Sequence, residues 1–155
     1  MITQSVQHLR FLCDTVPPLL RTVSEEAYSF KPSPEQWSKK EILGHLIDSA
    51  ANNHQRFVRT QFEDIPRITY NQNLWNRFSY YSGMNTEQLI RFWELYNRQL
   101  AEILTYIPDE FLSRECNIGK EQNVTLEWIV QDYVRHLEHH VHQIVQFDSG
   151  VEILP

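Results

Sequence analysis

The sequence predicts an all-α fold, a four-helix bundle containing a long crossover connection. Three observations carry that prediction. Four long segments place apolar side chains at the three- and four-residue intervals of a helix. Glycine is scarce, four in 155 residues, which disfavours turn-rich β architecture. The connections between segments are too long for a plain series of hairpins. A chain of this length suits one domain over residues 1–155, able to bury roughly 70% of its unfolded surface without disulfides.

The first helix is carried by Val6, Leu9, Phe11-Leu12, Val16, Leu19-Leu20 and Val23 and runs from Thr3 to about Ser24. Pro17-Pro18 predicts a kink or break near Thr15-Val16, because each proline removes a backbone donor and crowds the preceding turn. The stretch FKPSPEQW is a connection, its prolines forcing extended backbone on the residues before them. Ser38-Lys-Lys-Glu41 is a capping box that starts the second long helix, which reaches about Phe62. Along it Ile42, His45, Ser49, Asn52 and Arg56 share one stripe, so His45 lies on or beside the buried face. His54, about 180° from His45, is predicted to face solvent.

Residues 63–85 lack clean periodicity and form a long connection with one helical turn around Asn73 to Phe78, where connections of this length serve as crossovers or carry function. Asn85 caps a third helix that ends before Pro108. A short piece near Asp109 to Leu112 and a polar link through Gly119 follow, and Thr125 caps the fourth helix, which extends to about Gln146.

Composition narrows the function. The net charge of −6 and the absence of any basic stripe argue against a nucleic-acid partner, leaving a small-molecule substrate as the expected one. No apolar run approaches the roughly 18 to 20 residues needed to span a bilayer. The N-terminal segment lacks a basic stretch followed by an uninterrupted apolar one, so no secretory signal is expected, and two cysteines, Cys13 and Cys116, form no disulfide framework, so the protein is expected to be cytoplasmic with reduced thiols.

The last helix, TLEWIVQDYVRHLEHHVHQIVQ, holds four of the seven histidines. His136 and His140 lie one turn apart on one face with His139 and Gln143 beside them, while His142 points roughly 120° away. Two imidazoles at i and i+4 can close on one metal ion from a single rod. Spacing alone leaves open the reading as surface or hydrogen-bonded histidines. His45 strengthens the metal reading, since a buried imidazole needs a partner for its nitrogens, and three imidazoles from two helices leave open positions for water or substrate. Neither a di-iron Glu-x-x-His set nor the zincin His-Glu-x-x-His pattern is present, and Glu138, about 160° from His136, is predicted to face solvent. Asp48, one turn from His45, and Asp132, one turn before His136, are candidates to orient an imidazole or accept a proton; each is otherwise a capping or solvated carboxylate. His139 is a spare ligand, an orienting donor or an acid/base group, three roles that helical geometry does not separate.

Taken together, the Trp37-Ser38 entry to helix two, the run EILGHLIDSAANNHQRF, the YNQNLW stretch before helix three and the final RHLEHHVHQI resemble the DinB superfamily, in particular its YfiT-like branch, which is assigned to metal-dependent hydrolysis. The resemblance extends over nearly the whole chain. It implies a four-helix bundle of DinB/YfiT-like type, with His45, His136 and His140 as ligands of a divalent metal, nickel or zinc, in a family whose members often pair as homodimers. It also implies an alternative chemistry, since related members are thiol-dependent S-transferases and isomerases acting on small electrophiles. A third reading, from a different class, is a non-catalytic bundle that binds a metal or small ligand.

Overall fold

A computed structural model describes residues 2–148 of the chain; the ends of the expected domain, residue 1 and residues 149–155, lie outside the described residues. Six α-helices follow in order: α1 (Thr3–Leu20), α2 (Glu25–Ser29), α3 (Lys39–Arg59), α4 (Gln72–Ser79), α5 (Thr86–Thr105) and α6 (Leu126–His142). The four long ones, α1, α3, α5 and α6, make the bundle. Helix α1 packs on α5 and α6, and α3 packs on the same two, so the first and second long helices sit on a diagonal. The chain must cross the end of the bundle between α1 and α3, and again between α5 and α6.

Helix α1 runs on through Pro17 and Pro18 without the break allowed for near Thr15-Val16. One of the two lost backbone bonds has a replacement donor. Pro17 cannot supply the amide that the Cys13 carbonyl would receive, and Arg98 Nη2 on α5 donates to that oxygen instead at 3.0 Å. The helix stops at Leu20, short of Ser24, because Ser24 caps the separate short helix α2 by accepting from the Ala27 amide. The capping box at Ser38 and Glu41 is present in both directions, and α3 ends at Arg59, before Phe62.

The 63–85 segment is more ordered than its sequence pattern indicates. Asn71 caps α4 through two amides, and Tyr80 ends that helix in the left-handed region at φ 57°. A 3₁₀ turn follows over Tyr81–Gly83. Asn85 and Thr125 cap α5 and α6 as predicted, and α6 closes at His142 instead of Gln146. The link between α5 and α6 carries a two-stranded antiparallel ribbon, β1 (Glu115–Cys116) and β2 (Val124–Thr125), too short to show a period-two pattern in the sequence.

The core is apolar and continuous, centred on Leu9, Leu12, Leu43, Leu46, Trp93, Leu100 and Leu137. Cys13 and Cys116 are both free and buried. Two polar predictions change. His54 is half-buried and its Nδ1 lies 3.0 Å from the Tyr96 hydroxyl. Glu138 is 3% exposed, with Oε2 3.1 Å from His8 Nε2 on α1. Its face of α6, opposite the histidine pair, is covered by α1 instead of water.

Candidate metal centre

The adjacency of α3 and α6 turns two separate sequence signals into one cluster. His45 is fully buried in the middle of α3, and His136 and His140 stand half-buried on successive turns of α6 facing it. His45 Nε2 and His136 Nε2 are 3.2 Å apart. One nitrogen from each of His45, His136 and His140 lies within 4.8 Å of the other two, the one such group of three metal-ligating side chains among the described residues. Two nitrogens about 2.0–2.1 Å from a tetrahedral ion are about 3.3 Å apart, so the observed separation matches the edge of a coordination polyhedron.

Protonation agrees with that geometry. Burial, reinforced by repulsion from the neighbouring imidazoles, pulls His45 down to about 3 and His136 down to about 4. Burial also lowers His140, partly offset by its bond to Gln143. All three rings are therefore neutral at pH 7 and carry a free lone pair. The donor set is three neutral imidazoles, which suits a divalent borderline ion such as zinc or nickel.

The outer nitrogens are treated unequally. His140 Nδ1 lies 2.8 Å from Gln143 Oε1 and must donate to it, since an amide oxygen only accepts; that fixes the tautomer with Nε2 free. Gln143 Nε2 in turn approaches His139 Nε2 at 3.4 Å. His45 Nδ1 is buried without a partner among the described residues, and its ring packs against Trp37 at 4.8 Å between centroids.

The chain belongs to the DinB superfamily. The profile of that superfamily matches residues 8–144. YfiT of Bacillus subtilis (strain 168), provisionally assigned as a metal-dependent hydrolase, is 26% identical over 112 residues, 71% of this chain and 63% of YfiT. The chain thus spans somewhat less than two thirds of that relative's length. The solved structure of YfiT, described as an unusual four-helix bundle, superposes with a TM-score of 0.82 at 19% identity, covering 91% of this chain and 82% of that one. A mycothiol-dependent maleylpyruvate isomerase gives 0.76 at 13% identity, covering 93% of this chain and 60% of the other. At such identities the structural likenesses establish the shared bundle. In this DinB-superfamily chain, with no helix among the described residues long and apolar enough to cross a membrane, the three-histidine cluster is the feature suited to a divalent ion.

The three acid/base candidates are placed very differently. Asp48 does not meet His45: its Oδ1 accepts from the Tyr81 hydroxyl at 2.5 Å, and its Oδ2 is buried without a partner among the described residues. Burial pushes this carboxyl up to about 6, with the Tyr81 bond pulling the other way. Asp132 is half-exposed and pairs with Arg135 at 3.4 Å. His139 is exposed, its ring centroid 5.2 Å from that of His140. Sequence reasoning set Gln143 beside the histidines without giving it a role; it also missed Trp37 as a ring neighbour of His45 and Tyr81 as the partner of Asp48. Gln143 alone had a readable signal, its i+3 spacing from His140.

Proposed function

We propose that this chain is a metal-dependent enzyme acting on a small molecule, with His45, His136 and His140 as the ligands of one divalent ion. The 3.2 Å approach of His45 Nε2 to His136 Nε2, two neutral imidazoles aimed at one point from different helices, carries this reading. A divalent ion held there supplies Lewis acidity, lowering the pKa of a coordinated water or stabilising a thiolate. The chain's own part is to hold three neutral donors in place, to leave the remaining positions open and to move protons at the rim. His139 is the group for that last role, because it is exposed and stands against His140. Asp48 is a buried proton holder backed by Tyr81, and Asp132 lies one turn before His136 on α6, paired with Arg135.

Hydrolysis is the first reading, supported by the assignment of YfiT. Thiol-dependent transfer or isomerisation is the second, supported by the mycothiol-dependent isomerase that shares the bundle. Metal content by mass spectrometry decides the site: one equivalent of nickel or zinc in the wild type, lost in both His45→Ala and His136→Ala. Retention in both variants rejects the three-histidine site. A panel of esters and amides, run beside low-molecular-weight thiols with a small electrophile, separates the two chemistries.

A further inference from the structure

The stripe on α3 that bears His45 ends in Arg56, eleven residues later and only about 20° away in helical phase. The residues between are polar and buried: Ser49 and Asn52 are 2% exposed. The next residue, Phe57, meets Tyr133 at 5.5 Å between ring centroids, which sets this part of α3 against the turn of α6 just before His136. The Arg56 side chain folds back along α3 toward the histidines, its Nη1 donating to Asn53 Oδ1 at 3.3 Å. Its charge bears on His136, disfavouring protonation there.

Arg56 is half-buried and burial works against its charge, a situation in which arginine is normally paired with a carboxylate. No such partner exists among the described residues. Asp132, the carboxylate whose field reaches it, is engaged by Arg135. The acceptors Arg56 does have are neutral, and the bonds are long: Nε to the Ile68 carbonyl at 3.3 Å, Nη2 to the same oxygen at 3.1 Å, and Nη1 to Asn53. Each terminal nitrogen carries two hydrogens, so one N–H on Nη1 and one on Nη2 remain without an acceptor among the described residues. A guanidinium with one spare donor on each terminal nitrogen matches the two oxygens of a carboxylate.

We propose that Arg56 is the anion-recognition residue of this site and that the substrate is a small molecule carrying a carboxylate, bound by the spare Nη1 and Nη2 donors while its reacting group lies at the three-histidine centre. The proposal rests on the metal reading above. The probes are hydroxamates, which grip a metal at one end: succinyl, glutaryl and adipoyl monohydroxamates, each compared with the methyl-ended hydroxamate of equal chain length. Binding to the cobalt-loaded protein is followed through the visible absorption of the cobalt ion. At least one carboxylate-ended probe binds about tenfold or more tighter than its methyl-ended counterpart, as expected for hydrogen bonds to a charged group. Arg56→Met abolishes that advantage, bringing the two members of each pair to equal affinity; Arg56→Lys, which keeps the charge without the fork, retains only part of it. Equal binding of both series to the wild type overturns the proposal without any variant, as does an advantage that survives intact in Arg56→Lys and Arg56→Met. Failure to take up cobalt rejects the metal reading and this proposal together, whereas uptake without a carboxylate advantage rejects Arg56 alone.

Discussion

His45 Nε2 and His136 Nε2 face each other across 3.2 Å although 91 positions separate them in the chain. Burial holds these two rings neutral down to about pH 3 and 4, so the proposed site would take up a metal without first losing protons from them. Metal uptake at pH 6 should accordingly release fewer than one proton, against about two from three histidines with ordinary pKa values. Calorimetric titration in buffers of different ionisation enthalpy measures that number. The same shifts set the acid stability of the metal-free protein. A histidine whose folded pKa is depressed contributes no penalty above its unfolded value of about 6.5, and stability then falls as the unfolded chain takes up protons that the folded site refuses. Melting temperature should decline from about pH 6.5 toward pH 4, and less steeply in His45→Gln.

Gln143 fixes the tautomer of His140 through the 2.8 Å contact at Nδ1. Replacement by leucine should weaken metal affinity about 10- to 100-fold while leaving the fold intact, since Gln143 is exposed. Glutamate, which keeps an acceptor at the same reach, should restore most of the affinity. A competition titration against a chelator reads both variants, and equal affinity of Gln143→Leu and wild type would remove the tautomer argument.

Asp48 is 3% exposed, and burial raises its carboxyl to about 6 from an ordinary 3.8. Its ionised form is therefore destabilising to the fold: stability is full below the unfolded pKa and is lost as pH rises through the folded one. Asp48→Asn keeps an oxygen for the Tyr81 hydroxyl and removes the charge. It should stabilise the protein by roughly 2–3 kcal/mol at pH 8 and by little at pH 4. Denaturant unfolding at the two pH values checks this; an equal effect at both would show that ionisation is not the cause.

Gly44 lies under the Tyr81 ring so closely that an added Cβ would come within 2.2 Å of its Cδ2 and Cγ. The ring's hydroxyl is tied to Asp48, one turn on from Gly44 on the same face of α3, so the ring has little freedom to retreat. Gly44→Ala should cost about 1–3 kcal/mol despite alanine's better helix propensity. Thermal melts of Gly44→Ala and of Gly44→Ala with Tyr81→Leu test the cause, the second change recovering stability if the clash with the ring is responsible.

Helix positions and their starting points were legible in the residues. Ser38, Asn85 and Thr125 cap through their own side chains a few atoms away, and the stripe through His45, Ser49, Asn52 and Arg56 follows from the 3.6-residue period alone. These are local properties, set within one or two turns of chain. The i and i+4 pairing of His136 with His140 is of the same kind, and the resemblance of the ordered motifs supplied His45 as their third partner.

What stands opposite each face was decided only by the tertiary structure, because helical phase says which residues share a face and nothing about what covers it. Glu138 sits about 160° from His136 and was predicted to meet water, yet α1 brings His8, 130 positions away, against it. Asp48 turned to Tyr81 instead of His45, and α1 passed through two prolines with Arg98 on α5 supplying the donor that Pro17 lacks. The spare donors of Arg56 belong to the same class, since an unpaired charge can be recognised only once every neighbour that might have paired with it is in place.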